Sequence, residues 1–359
     1  MRNLSTFLSI AVVGVAFAVS PALAQTKPAA RTKPAAAPAE TEIPMVPAGE
    51  EESSLAVGAL QIGSAAGVVV AGIDINVASD SIVYSYLFKN TGSAERTVTA
   101  AVSMPELEAS ADGNDTWVLP SNNPENPVDL TITAADKPVT TKAQLNAYAL
   151  GIDRVAEIEA EHLPLIPFGS EVDRALAGLS PEAAERLAAL GLISATDPAK
   201  PRAPLTAAWS LNVVRSWVQV LPPGETKIVV KFTPIRDQYR IEKGDDEDLD
   251  EMKDEACLKP QVLSVLQSRL KGNGAWKVTD ISLAAHPPAR WMRSPKPALS
   301  VQKPTPNAIV AFCGMDDKTA NQPTVLGVAP YAEDYNDDRE SRIVIFEPIV
   351  IYEPKEHRR

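Results

Sequence analysis

The sequence predicts a mainly β fold, an antiparallel β-sandwich-like core with a helical insertion and one further amphipathic helix. Three observations carry that reading. Apolar and polar residues alternate with a period of two along a succession of short segments. Polar turns rich in Asn, Gly, Pro and Ser separate those segments. Helical patterning is confined to about residues 141–192 and one later segment, so no β-α-β alternation calls for a parallel sheet.

The chain opens with a processing signal over residues 1–24. Arg2 supplies the basic start, "FLSIAVVGVAFAV" the apolar run, and "ALA" at 22–24 the small residues that place cleavage before Gln25. The run is short for a membrane span, and no later segment is long and apolar enough, so no transmembrane segment is expected after cleavage. Residues 25–52 are dense in Pro and Ala and poor in large apolar side chains. Such a stretch cannot bury enough surface to offset its ordering entropy, and it reads as a disordered tether. A single β-rich domain is expected over residues 53–354.

Within it, "LAVGALQI", "VVVAGIDINVA", "SIVYSYLFKN" and "ERTVTAAVSMP" read as successive strands. Tyr84, Tyr86 and Phe88 share one face of the third, and Val98, Ala100 and Val102 one face of the fourth. The Asn90-Thr91-Gly92-Ser93 turn between them reads as a hairpin. "NPVDLTITAADKPVT" adds a strand and a turn. "TKAQLNAYAL", "RVAEIEAEH" and "SPEAAERLAALGL" then read as helices, the last with Ser180 as N-cap, Pro181 at the first position and Gly191 as its stop. Pro164 and Pro167 prevent one long helix. β structure resumes with "AWSLNVVRSWVQVLPPGETKIVVKFTP", a second apparent hairpin around Pro-Pro-Gly-Glu. "LKPQVLSVLQSRLKG" is the further helix, with Val262, Leu266 and Leu270 on one face and Gly272 past its end. "WKVTDISLAA", "NAIVAFCG" and "RIVIFEPIVIYEP" supply the closing strands.

The net charge is −12, and residues 242–255 hold nine acids and two lysines of it. A nucleic-acid partner is not expected, because that would need clustered Lys and Arg. The acidic run lacks the glycine and register of a calcium loop and reads as solvated. The two cysteines, Cys257 and Cys313, suggest one disulfide in an oxidising compartment, with two unconnected buried cysteines as the alternative.

No catalytic constellation stands out. G-x-S-x-G is absent, Ser180 is already a helix cap, and the three histidines are His162, His286 and His357. Glu159 and His162, three apart on a helix, share a face and are the candidate metal pair. Trp117 sits in the polar stretch "DGNDTWVLPSNNPENP", where an aromatic ring can stack on a sugar. Asp112, Asn114 and Asp115 beside it offer oxygen ligands to a cation. Arg290, Arg293 and Lys296 near Trp291 form a small basic patch. The other tryptophans, Trp209, Trp217 and Trp276, fit strand faces or core. No cofactor is expected.

Taken in order, "YLFKNTGSAERTVTAAVSMP", "RLAALGL", "WVQVLPPGETKIVVKFTP", "KGNGAW" and "AFCG" resemble the bacterial secreted family catalogued as domain of unknown function 4424, over most of residues 53–350. Cys257 ahead of a helix and Cys313 in "AFCG" fall where such proteins look similar. The resemblance implies no assigned activity and hands over no catalytic residue; the tether and acidic loop depart from it. The expectation is therefore an exported, non-enzymatic protein of the periplasm or exterior, a β-rich interaction or assembly module with a protein partner in the envelope. A ligand-binding module for sugars or cations, and a metal-assisted hydrolase, are the alternatives.

Overall fold

The computed structural model describes residues 55–109, 117–195, 203–245, 249, 252–253, 256–272, 274–284, 296–329 and 341–349. The expected signal (1–24) and tether (25–52), with Asp112, Asn114, Asp115, His286, Arg290, Trp291, Arg293 and His357, lie outside them.

The chain begins with β1 (Gln61–Ile62), β2 (Val68–Ala78), β3 (Ser81–Asn90) and β4 (Arg96–Ser103), then the short β5 (Leu107–Glu108) and β6 (Trp117–Val118). After β7 (Thr131–Ala134), β8 (Lys137–Pro138), β9 (Lys142–Ala149) and β10 (Ile152–Asp153) come the helices α1 (Val155–Ala160), α2 (Ser170–Ala177) and α3 (Pro181–Ala189). Strands return as β11 (Ile193–Ala195), β12 (Leu205–Ala207), β13 (Ser210–Leu221), β14 (Gly224–Phe232) and β15 (Arg236–Ile241). Helix α4 (Pro260–Lys271) precedes β16 (Ala275–Leu283), β17 (Ala298–Gln302), β18 (Ile309–Phe312), β19 (Thr324–Val328) and β20 (Ser341–Ile349). The fold is mainly β, as expected.

Three large sheets result. The first runs β1-β4-β13-β9-β10 with β5 also on β13, the second β19-β17-β2-β3-β14-β7-β8, and the third β18-β20-β16-β15-β6. Pairing is antiparallel throughout except between β2 and β17. Alternation explains the packing. Tyr84, Tyr86 and Phe88 of β3 stack at 6.0 and 6.3 Å between ring centroids and join Ile228, Val230 and Phe232 of β14 in the main core. Val98, Ala100 and Val102 of β4 and Leu211, Val213 and Trp217 of β13 supply the first sheet's share of that core. Ile281, Ile343 and Ile345 bring the third sheet into it. A second core lies on the opposite face of the third sheet, where Leu266 and Leu270 of α4 pack with Trp276, Val278 and Phe346. Each of these leucines stabilises the fold by about 2 kcal/mol through its burial.

The two expected hairpins are corrected. Strands β3 and β4 lie in different sheets, and so do β13 and β14. β4 pairs with β13 from Ser103↔Val214 to Arg96↔Leu221, while β3 pairs with β14 from Ile82↔Phe232 to Asn90↔Gly224. The two turns are therefore adjacent arches that carry the chain from one sheet to another. Asn90, buried, pins them together. Its amide donates to the carbonyls of Ala94 and Leu221, both at 2.9 Å, and its Oδ1 accepts from the Gly92 N–H at 3.0 Å.

The helical insertion is shorter than expected. Residues 142–149 form strand β9 rather than a helix, because Ala143, Leu145, Ala147 and Ala149 alternate onto the face beside Leu211 and Val213. Helices occupy 155–189, where Ile158, Val172, Leu176, Leu187 and Trp209 form a third core. Ser180 caps α3 as read from sequence, accepting from the Ala183 N–H at 3.1 Å. Gly191 (φ 75°) ends it, with Gly191 N–H on the Ala188 carbonyl and Leu192 N–H on the Leu187 carbonyl, both at 3.0 Å. A side chain at 191 would also meet Leu150.

The edges of the second sheet are protected. At one end β8 is two residues, Lys and Pro. At the other, residues 314–319 cover β19, with Val328 N–H on the Gly314 carbonyl (3.1 Å) and Leu326 N–H on Thr319 Oγ1 (2.8 Å). Cys313 precedes that cover and is bonded to Cys257, whose Cα lies 5.0 Å from its own. The disulfide ties the approach to α4 to the end of β18, and Lys259 forms an ion pair with Asp317 beside it.

Candidate functional site

The structure places the sequence-derived candidates apart. Trp117 is half-buried on an edge strand opposite Asp237, and its ring meets Phe168 edge-to-face at 5.6 Å. Its expected companions Asp112 and Asp115 are not among the described residues. Glu159 and His162 are both exposed at the end of α1. There His162 adopts φ 57°, its N–H donates to the Glu159 carbonyl (2.9 Å), and Leu163 N–H donates to the Ile158 carbonyl (3.1 Å). This is the same helix stop that Gly191 makes on α3, so His162 holds a backbone role. Among the described residues no three His, Cys, Asp or Glu side chains are grouped as metal ligands.

Sequence reading missed a polar cleft on the third sheet. In "RDQYRI" the residues Asp237, Tyr239 and Ile241 alternate with Arg236, Gln238 and Arg240. Ile241 packs in the α4 core, with Tyr239 against it. The other set faces away from α4, and cross-strand register assembles a polar surface around it. Gln238 lies opposite Thr279 and Arg240 opposite Lys277, while Thr279 lies opposite Ile345 and Lys277 opposite Glu347. Ser79, from the turn between β2 and β3, and Pro304, after β17, wall this surface into a cleft of about 240 Å³.

Inside the cleft the guanidinium of Arg236 is anchored by one bond, Nη1 donating to the Ser79 carbonyl at 3.0 Å. Its Nε is buried and has no hydrogen-bond partner among the described residues. Gln238 Nε2 donates to Thr279 Oγ1 at 3.3 Å, and Lys277 Nζ stands 3.8 Å from Glu347 Oε2. Two cations thus face one carboxylate across a floor of amide and hydroxyl. Such a surface can hold an anion and hydrogen-bond hydroxyl groups. The available signal was the polar period-two face of 236–240 in a strand flanked on both sides by others.

A family model described as Domain of unknown function (DUF4424) matches residues 48–335. No curated protein matches the chain. Among solved structures, a crystal structure from Legionella pneumophila described as a "putative nutrient binding protein" aligns with 82% of this chain and 72% of its own, at 12% identity and a TM-score of 0.36.

Proposed function

The chain belongs to the family described as domain of unknown function (DUF4424), and from that premise we propose that it is an exported, non-enzymatic module of the cell envelope, a β-rich surface for interaction or assembly. The observation that supports this reading most is the Cys257–Cys313 disulfide. Bonds of this kind form and persist in oxidising compartments outside the cytosol, which agrees with the signal sequence expected from residues 1–24. No helix among the described residues is long and apolar enough to cross a membrane. The three large sheets share one main core.

The test is to fractionate cells, sequence the N-terminus of the mature protein, and cross-link it in intact envelopes before purification. Cleavage before Gln25 and one stoichiometric protein partner are expected. An uncleaved cytosolic chain, or a mature protein that cross-links to nothing, overturns the reading. A second reading, a ligand-binding module, draws support from the cleft beside Arg236 rather than from Trp117.

A further inference from the structure

We propose that the cleft between Arg236 and Lys277 binds a small hydroxylated carboxylate, a sugar acid or hydroxy acid whose carboxylate docks on Arg236. Three observations carry it. Arg236 is half-committed: one N–H holds the Ser79 carbonyl, while the buried Nε donates to nothing among the described residues. The Nε itself is closed to solvent, so a carboxylate in the cleft would meet the terminal Nη groups of the guanidinium rather than the Nε. The guanidinium edge matches a carboxylate with two parallel bonds.

Among the described residues that line the cleft no carboxylate competes for that edge: the one acid there, Glu347, stands next to Lys277 at the other end. The two residues lie on neighbouring strands in direct register. At 3.8 Å they do not form a tight ion pair, so each can also bond a ligand hydroxyl lying beside them. The floor fits hydroxyls as well. Gln238 and Thr279 hold each other through a long 3.3 Å bond, and both can instead turn a donor or acceptor to a ligand.

Size narrows the class. At about 240 Å³ the cleft falls below the roughly 300–1,000 Å³ of drug-sized pockets, which suits a molecule of monosaccharide size. A bare inorganic anion would engage Arg236 and leave the floor and Glu347 unused. A neutral sugar would leave the Arg236 edge unmatched. This inference goes beyond the assembly reading: a protein that is exported and partnered but binds no acid leaves that reading standing.

The experiment is calorimetric titration of the full mature chain with glucuronate, gluconate, glucose and inorganic phosphate, with thermal melting in parallel. Glucuronate or gluconate is expected to bind and raise the melting temperature, with glucose weaker by about tenfold or more, the loss expected for one charge-assisted pair. Phosphate should likewise bind more weakly. Arg236→Lys, which keeps the charge but removes the fork, should weaken the acid by about tenfold while its melting temperature stays close to that of the parent. Gln238→Ala, away from the Ser79 anchor, should weaken it by about threefold, and serves alone if the arginine variant does not fold. Equal binding of glucose and glucuronate, phosphate binding as tight as the acid, no heat with either acid, or unchanged acid affinity in a folded variant overturns the proposal.

Discussion

Replacing Tyr86 by Phe removes one oxygen from the main core, and its effect can be worked out in both sign and size. Tyr86 is 3% exposed, and its hydroxyl accepts the N–H of Leu60, itself fully buried, at 3.2 Å. Phe fills the same space but strands that amide. Near neutral pH the variant should therefore lose about 1–3 kcal/mol, the cost of an unsatisfied buried donor. The loss should change with pH. Burial holds the Tyr86 phenol well above its ordinary value of 10.0, the Leu60 N–H opposing it by a smaller amount. Because the folded-state pKa is the raised one, the unfolded chain gives up its proton first. The stabilisation is whole below about pH 10 and is lost above it at about 1.4 kcal/mol per pH unit. Phe cannot ionise, so the parent's lead should shrink by about 1.4 kcal/mol between about pH 8 and pH 11. Urea unfolding followed by tryptophan fluorescence measures both proteins at both pH values, and the subtraction cancels every other titrating group. An equal lead at the two pH values, or none at the lower, refutes the reasoning.

Other perturbations test other parts of the fold. Cys257→Ser with Cys313→Ser opens a loop spanning 56 positions and should cost about 4 kcal/mol on the chain-entropy account; reductant should do the same to the parent in a denaturant titration. Asn90→Ala removes three hydrogen bonds at the joined arches and should cost about 2–4 kcal/mol, with the loss read from the same titration. His162→Gly should stabilise by about 1 kcal/mol, because glycine accepts the left-handed conformation without strain; a lowered melting temperature would contradict the role assigned to that position.

What could be read from sequence was local. Ser180, Pro181 and Gly191 delimit α3 through chemistry within a dozen residues, and the structure reproduces each. Tyr84, Tyr86 and Phe88 declare their face by spacing alone. The arches were misread because Asn-Thr-Gly-Ser and Pro-Pro-Gly-Glu encode a reversal of direction but not the sheet that the next strand enters. That choice is made by partners such as Arg96 and Leu221, far apart in the chain. β9 was missed because Lys, Ala, Gln and Leu are good helix formers, and small alanines mute its period-two signal until a neighbouring strand buries them. The cleft was beyond reach for a related reason. Arg236, Lys277 and Glu347 become neighbours only once β15, β16 and β20 pair in their observed register.

The paired arches also dictate an order of events. β3 must wait for β14, and β4 for β13, across more than a hundred residues of intervening chain, and β2 finds its parallel neighbour only at Ala298–Val301. A chain delivered N-terminus first can close its second β-arch only after Phe232 has emerged, and it lacks the strand beside β2 until much later. Long-range closure of this kind makes folding slow. In the interval β3 has only β2 beside it and β4 only the short β1, each with its other edge unpaired. Tyr84, Tyr86 and Phe88 lack the side chains of β13 and β14 that complete their core. The nascent chain is at its most aggregation-prone then, and a chaperone acting on it would find its best target in residues 68–103 while the second half is still arriving.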